Sequence, residues 1–200
     1  MFRLFETICV ENGIPQNLVF HNQRINHVYN TLGKPRNFNL PDFSKLKIPD
    51  EMSVGKVRWR VDYGVGEITS FFAPYHKRSI ASLQVVYDDA VDYSLKYVDR
   101  SALENLLAQK GNCDEILIVK NGLITDTSFS NILMYNGVDY YTPKTPLLAG
   151  TKRALLLSQG KIFEKDIAAE QLFDYQYIIL INAMLSPADS VIIPVQNIVL

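Results

Sequence analysis

The chain lacks most of the features that narrow a function at sight. Two cysteines in 200 residues, Cys9 and Cys113, build no disulfide framework and stand in no metal-ligand spacing, which fits a reducing cytoplasmic compartment. Three histidines, His21, His27 and His76, have no partners at ligand spacing either, so no metal is expected. No apolar run approaches a membrane span, and charge at Arg3 and Glu6 breaks the opening segment Met1–Glu6 too early for a signal peptide. Neither sign of charge is in excess. Twenty basic against twenty-one acidic residues leave a net −1, so neither nucleic acid nor a membrane surface is an expected partner. There is no internal repeat, no phosphate-binding P-loop, no dinucleotide fingerprint and no nucleophile elbow. What remains is an ordinary globular composition, 48% hydrophobic and 20% charged, long enough to bury one large core or two small ones.

Periodicity supplies the elements. Residues 1–10 are rich in Phe, Leu, Ile and Val, and Glu11-Asn12-Gly13 reads as a hairpin turn. From His21 to Leu32 the residues Ile25, Val28, Tyr29 and Leu32 share one helical face, ended by Gly33-Lys34-Pro35. A short helix is expected around Asp42–Leu46. Lys56–Tyr63 alternates strictly, a half-buried strand. Glu67–Ala73 and Ser82–Tyr87 read as two more strands of an antiparallel meander. Asp99 is the expected N-cap of a helix from Arg100 to Lys110, stopped at Gly111. Glu115–Lys120 and Asn131–Tyr135 read as buried strands, with a turn at Tyr135-Asn136-Gly137. A helix is expected from Thr151 to about Gln159. Strands at 162–165, 177–181 and 191–195 follow, with a short helix over 168–173. The fold class is α+β with mixed sheets. The expected domains are a smaller one over 1–90 and a larger one over 91–200.

Four pieces recur in one order: Lys96-Tyr97-Val98-Asp99-Arg100, then Gly122 through Asp126 to Ser130-Asn131-Ile132, then Tyr141-Thr142-Pro143, then Leu147-Leu148-Ala149-Gly150-Thr151-Lys152-Arg153. With His21-Asn22-Gln23-Arg24 near the start, this order and spacing resemble the class IV (fold-type IV) pyridoxal-phosphate enzymes. That family includes branched-chain and D-amino-acid aminotransferases and aminodeoxychorismate lyase. The resemblance spans most of the chain and is strongest from Lys96 to Arg153. It implies a two-domain fold-type IV architecture with a shortened first domain. The usual opening strands are absent here.

The resemblance also implies roles. Such chemistry needs a free lysine amine that can form a Schiff base with an aldehyde, a carboxylate on the pyridinium nitrogen, and an arginine with helix-start N–H groups on the phosphate. Lys96 takes the first role. From spacing alone it has no advantage over any other lysine; the pattern Lys-x-x-Asp-Arg supplies it. Asp126 takes the second, where the family usually has glutamate. One methylene less asks the ring or strand to shift by ~1.5 Å. Without the resemblance, Asp126 reads as a turn residue in a Ser- and Thr-rich stretch. Arg24 matches the arginine that clamps the phosphate. Gly150-Thr151-Lys152-Arg153 resembles Gly-Ile-Thr-Arg, with Thr151 displaced by one and Lys152 in the usual threonine's place. Leu148 matches a leucine that packs on the ring, and it also reads as plain core. Asn182-Ala183-Met184 is similar to the turn that closes the phosphate site in aminodeoxychorismate lyases, whereas transaminases more often carry Ser and Thr there.

The implied cofactor is pyridoxal 5'-phosphate, expected in the cleft between the domains, and the implied substrate is a small amino-acid-like molecule. Three readings stand: a lyase making 4-aminobenzoate and pyruvate, an aminotransferase, and a class IV scaffold that has lost catalysis, motivated by Asp126 and the short chain. The relatives are homodimers, and the same is expected here. Trp59, Phe71 and Phe72 are candidates for an interface to cover, or else they fill the first domain's own core.

Overall fold

The computed structural model describes residues 3–45, 47–189 and 191–200. The chain divides into two compact units, residues 1–77 with 95–99 and residues 78–94 with 100–200.

The first unit is built on one long ladder. β1 (Arg3–Glu11) runs antiparallel to β4 (Lys56–Val65) over its whole length, from Arg3 opposite Gly64 to Glu11 opposite Lys56. The expected hairpin forms: Asn12 (φ 49°) and Gly13 (φ 80°) turn β1 into β2 (Ile14–Pro15). Between β2 and β4 in sequence lie α1 (Leu18–Thr31) and β3 (Phe38–Asn39), which pairs with the end of β4; β5 (Thr69–Pro74) pairs with β4 from Val57 to Asp62. Alternation sends Leu4, Ile8 and Val10 of β1 and Val57, Trp59, Val61 and Tyr63 of β4 into one core, closed by Ile25 and Val28 of α1. The helix begins three residues earlier than expected, because Asn17 at φ 58° turns the chain there. Residues 43–45 form a turn in which the Asp42 carboxylate accepts the Ser44 N–H at 3.1 Å and its hydroxyl at 2.6 Å. Leu46, the end of the short helix expected there, lies outside the described residues, as do Met1 and Phe2.

Trp59 and Phe72 belong to this unit's own core. Trp59 is 0% exposed, stacks on Phe72 at 5.4 Å, meets Phe43 edge-on at 5.5 Å and donates its indole N–H to the Ser70 hydroxyl at 2.6 Å. Phe71, pointing to the opposite face of β5, stays 57% exposed.

The second unit holds two mixed sheets. β6 (Leu83–Tyr87), α2 (Ser101–Leu107), β7 (Glu115–Lys120) and β8 (Leu123–Ile124) come first. Then follow β9 (Asn131–Tyr135), β10 (Tyr140–Pro143), α3 (Thr151–Ser158) and β11 (Phe163–Lys165), and last β12 (Tyr177–Ile181), β13 (Val191–Pro194) and β14 (Ile198–Val199). One sheet runs β14-β6-β7-β8 and the other β11-β10-β9-β12-β13. The structure departs from the sequence reading at β6, at the domain boundary and at the N-cap of α2. β6 is no part of an antiparallel meander; it pairs parallel with β7. The Asp114 carboxylate accepts N–H groups from Ala81 (2.8 Å) and Ser82 (3.2 Å), which sets Leu83 opposite Glu115. With β6 in the second unit, residues 78–90 fall there and not with the first domain as bounded at 90. The N-cap of α2 is Arg100 and not Asp99, with no side-chain cap bond. The short helix expected over 168–173 forms as a 3₁₀ helix over Ala169–Asp174.

Cys9 and Cys113 are both buried, and neither is part of a disulfide. Among the described residues no helix is long and apolar enough to cross a membrane, and no group of His, Cys, Asp and Glu could hold a metal ion.

Trp59→Ala should lower the unfolding free energy by about 3–5 kcal/mol, read from urea denaturation. A loss below about 1 kcal/mol would contradict the packing described for the first unit.

Candidate active site

Burial of a carboxylate organises each unit's share of the candidate residues. In β1, Glu6 lies between Leu4 and Ile8 on the inward face, and it is 0% exposed. His21 and Arg24, three apart on α1, both reach it. Arg24 Nε donates to Glu6 Oε1 at 2.9 Å and a terminal guanidinium nitrogen donates to Oε2, a bidentate pair. His21 Nδ1 lies 2.5 Å from Oε2. Burial pushes the Glu6 carboxyl up, but Arg24 and His21 outweigh it and hold it at about 2. Burial depresses the His21 pKa, against the pull of Glu6 and with help from the nearby Arg24 and Lys96 charges.

Lys96 sits on a segment zipped to β1. Its carbonyl accepts the Phe5 N–H at 3.2 Å, Tyr97 bridges Leu4, and the Val98 N–H donates to Arg3 O at 2.9 Å. The residue itself is in the left-handed region, φ 56°, an uncommon conformation for a side chain of this size. Its Nζ lies 4.7 Å from the Phe5 ring centroid, and the Arg60 guanidinium lies 4.2 Å from the same centroid. Arg60 is paired with Asp62 at 2.5 Å.

In the second unit Asp126 is 4% exposed and both its oxygens are engaged. Oδ1 accepts the Asn131 side-chain amide at 2.9 Å and Oδ2 accepts the Leu148 N–H at 3.0 Å. The same Asn131 nitrogen donates to the Leu148 carbonyl at 2.8 Å. Leu148 is thereby fixed through its backbone while its side chain stays half-buried. Two residues on, Gly150 passes so close to Asn131 that an added Cβ would stand 1.8 Å from Oδ1. The glycine is therefore required by close approach, before α3 begins at Thr151. Burial raises the Asp126 carboxyl to about 6, opposed by the bonds from Asn131 and Leu148 and by the Arg153 charge.

The remaining residues separate by role. Thr151 is buried and Lys152 half-buried in the first turn of α3, which carries no acidic side chain. Arg153 faces the other way, donating to Pro143 O (2.8 Å) and Glu164 (2.6 Å), so it anchors the helix to β10 and β11. Asn182 closes its own turn, its Oδ1 accepting the N–H groups of Met184 (2.8 Å) and Leu185 (3.0 Å), and Ala183 lies half-buried within that turn. Lys96 and Arg24 belong to the first unit; Asp126, Leu148, Thr151, Lys152, Asn182 and Ala183 belong to the second. Sequence reasoning missed Glu6 and treated Asn131 only as a motif letter. The signal for Glu6 was a lone charge at an inward position of β1, two residues from Leu4 and two from Ile8.

The amino-transferase class IV family pattern matches residues 3–198. The chain belongs to the class IV aminotransferase family. It has the α+β fold-type IV architecture of that family, whose members typically depend on pyridoxal phosphate. An uncharacterised protein of Haemophilus influenzae is 41% identical over 187 residues, covering 92% of this chain and 98% of that protein. A solved structure from Haemophilus somnus 129PT, provisionally assigned as a 4-amino-4-deoxychorismate lyase, superposes with a TM-score of 0.83 at 38% identity, covering 92% and 97%. A class IV fold from Mesorhizobium loti, provisionally assigned as an amino-acid aminotransferase, superposes over 100% of both chains with a TM-score of 0.76 at 20% identity.

Gly150→Ala should drive Asn131 off Asp126 and destabilise the fold by about 1–3 kcal/mol in urea titrations; an unchanged midpoint would mean the close approach is not maintained. Asp126 carries a pH signature. Its carboxyl is raised from 3.8 to about 6, so between those values the native state binds more protons than the unfolded chain. Its contribution to stability should therefore fall as pH rises through that window. Comparing cofactor-free wild type with Asp126→Asn, the wild type alone should carry this slope; parallel stability–pH curves would refute it.

Proposed function

We infer that the chain is a pyridoxal-phosphate-dependent lyase of the aminodeoxychorismate type, releasing 4-aminobenzoate and pyruvate. The observation that carries the cofactor reading is Asp126. It is a deeply buried carboxylate held by an amide and by backbone N–H groups, with its pKa raised to about 6. A carboxylate has room for further donors beyond the two it holds. A cationic ring N–H is the partner that would relieve its buried charge, so the residue fits the pyridinium despite being shorter than glutamate. Leu148, pinned at N–H and carbonyl, suits the ring face. Thr151 and Lys152 at the start of α3 and Arg24 on α1 suit the phosphate, with Asn182-Ala183 closing that end. Arg24 brings little net charge of its own, because Glu6 already neutralises it. Lys152 in the first turn of α3 is therefore the side chain proposed to bring net positive charge to a phosphate dianion.

When bound, the cofactor supplies an electron sink at the substrate Cα. The chain's own residues do the rest. Lys96 Nζ would hold the cofactor, give way to the substrate amine and, as the freed amine, accept the α-proton. Its Nζ and the Arg60 guanidinium both lie against the Phe5 ring. Asp126 would hold the ring nitrogen in its protonated form. With the α-proton removed, the C–O bond to the enolpyruvyl group would break, that group leaving as the enol of pyruvate, and aromatisation would leave 4-aminobenzoate.

The lyase reading is favoured over transamination by Asn182-Ala183-Met184 and by the 38%-identical Haemophilus somnus relative. The alternative is a class IV aminotransferase acting on branched-chain or D-amino acids. It uses the same residues and returns the proton to the cofactor. A catalytically silent scaffold is the third reading. The working form is proposed to be a cytoplasmic homodimer.

Purified protein incubated with pyridoxal phosphate should become covalently labelled at Lys96 on borohydride reduction, located by peptide mass mapping, and Lys96→Ala should lose both label and turnover. Pyruvate release from aminodeoxychorismate, run beside a panel of amino donors, separates lyase from transaminase. Absence of label and of all turnover would leave the silent scaffold. Arg24→Ala should weaken cofactor affinity about 10–100-fold, the cost of losing charge-assisted bonds.

A further inference from the structure

Ser128 stands inside the loop that joins Asp126 to Asn131, and each of its polar groups is taken. Its N–H donates to Glu115 Oε1 at 3.3 Å and its hydroxyl to Glu115 Oε2 at 2.9 Å. Its carbonyl accepts Arg100 Nη2 at 2.8 Å. Glu115, the first residue of β7, is 1% exposed, and its Oε1 also takes the Ile116 N–H at 2.9 Å. Among the described residues Glu115 forms no ion pair, so neutral donors alone hold it. Burying a carboxylate this way is costly, and a neutral side chain would fill the space more cheaply. What the side chain adds is a shared anchor: one carboxyl group takes the Ser128 N–H, the Ser128 hydroxyl and the Ile116 N–H. Arg100 is oriented in its turn by Tyr93. Its guanidinium lies 5.4 Å from the Tyr93 ring centroid and donates to the Tyr93 hydroxyl at 3.3 Å.

The rest of the loop is held as firmly. Thr127 Oγ1 accepts the N–H groups of Phe129 (3.3 Å) and Ser130 (3.0 Å), and the Thr127 N–H donates to the Ser130 carbonyl at 3.0 Å. The Thr127 turn shapes the loop from within; the Asp126 carbonyl accepts the Ile118 N–H of β7 at 2.9 Å, and Ser128 adds a second tie to β7 and one to the start of α2. Asp126 and Asn131, whose mutual bond fixes Leu148, are the two ends of this clamped segment.

We propose that Glu115 and Arg100 are positioning residues of the reaction: by gripping Ser128 from two elements they aim the Asp126 carboxylate at the cofactor ring. This rests on the cofactor reading above. Neither residue touches the reacting atoms. Their effect runs through the placement of Asp126, and a misplacement of about 1 Å costs on the order of 100-fold in rate.

The test uses the cofactor-loaded enzyme and the cofactor-free chain, each as wild type, Glu115→Ala, Glu115→Gln and Ser128→Ala. In the cofactor-free chain, Glu115→Ala should speed amide hydrogen exchange across 126–131 about tenfold with no comparable change in β9 or β12. At saturating cofactor it should lower kcat about 10–100-fold while KM moves less than about threefold. Glu115→Gln should restore most of both, since its carbonyl can take the Ser128 N–H and its amide can donate to the Ser128 hydroxyl. A residue that only supported the fold would lower thermal stability and leave kcat per loaded site unchanged; that result overturns the proposal. If Glu115→Ala does not fold, Ser128→Ala carries the test, with a smaller loss of the same sign expected and unchanged exchange and kcat overturning it. A wild type that takes up no pyridoxal phosphate would sink the functional reading, while the exchange measurement still decides the clamp.

Discussion

Asp126, Asn131 and Leu148 form a closed set of three hydrogen bonds, and much of the second unit is arranged to permit it. Asn131 opens β9, so its side chain is placed by the ladder with β12. Leu148 can reach it only because Gly150 has no Cβ to strike Asn131 Oδ1. α3 then starts at Thr151, one residue past that approach, and Arg153 anchors it to β10 and β11. A single carboxylate thus couples a strand start, a loop and a helix start. Satisfying a buried charge leaves few alternative arrangements for the groups that do so.

Among the described residues three buried carboxylates are handled in three ways. Glu6 is neutralised by Arg24, and its pKa falls to about 2. Glu115 is held by the Ser128 hydroxyl and N–H and by the Ile116 N–H. Asp126 has an amide and backbone N–H groups as its hydrogen-bond donors, and its pKa rises to about 6. Desolvation outweighs the hydrogen bonds at Asp126, whereas the Arg24 pair outweighs it at Glu6. The same comparison lowers the share of Arg24. An arginine already paired to a buried acid offers direction and donors more than charge.

Most elements were legible because their periods are clean. β4 alternates, α1 repeats at helical spacing, and Asn12-Gly13 and Asn136-Gly137 are local turn chemistry. β6 shows where such reading stops. Leu-Gln-Val-Val-Tyr reads as a strand, but its partner is set by Asp114, some thirty residues away, capping Ala81 and Ser82. The family motif pointed to Asp126, Gly150 and Lys96 by order alone. Glu6 was hidden because a single glutamate between apolar residues becomes informative only when the facing helix is known.

The sequence by itself determined the local conformations, the membership of the class IV aminotransferase family and the residue types that its chemistry needs. Those depend on short-range sterics, on periodicity and on the order of motifs. Tertiary structure alone decided which charges are compensated. Arg24 spends its charge on Glu6, Ser128 is gripped by Glu115 and Arg100, and Asp126 is left with a raised pKa. Burial and pairing depend on residues far apart in the chain, and no spacing in the sequence encodes the dielectric around a carboxylate.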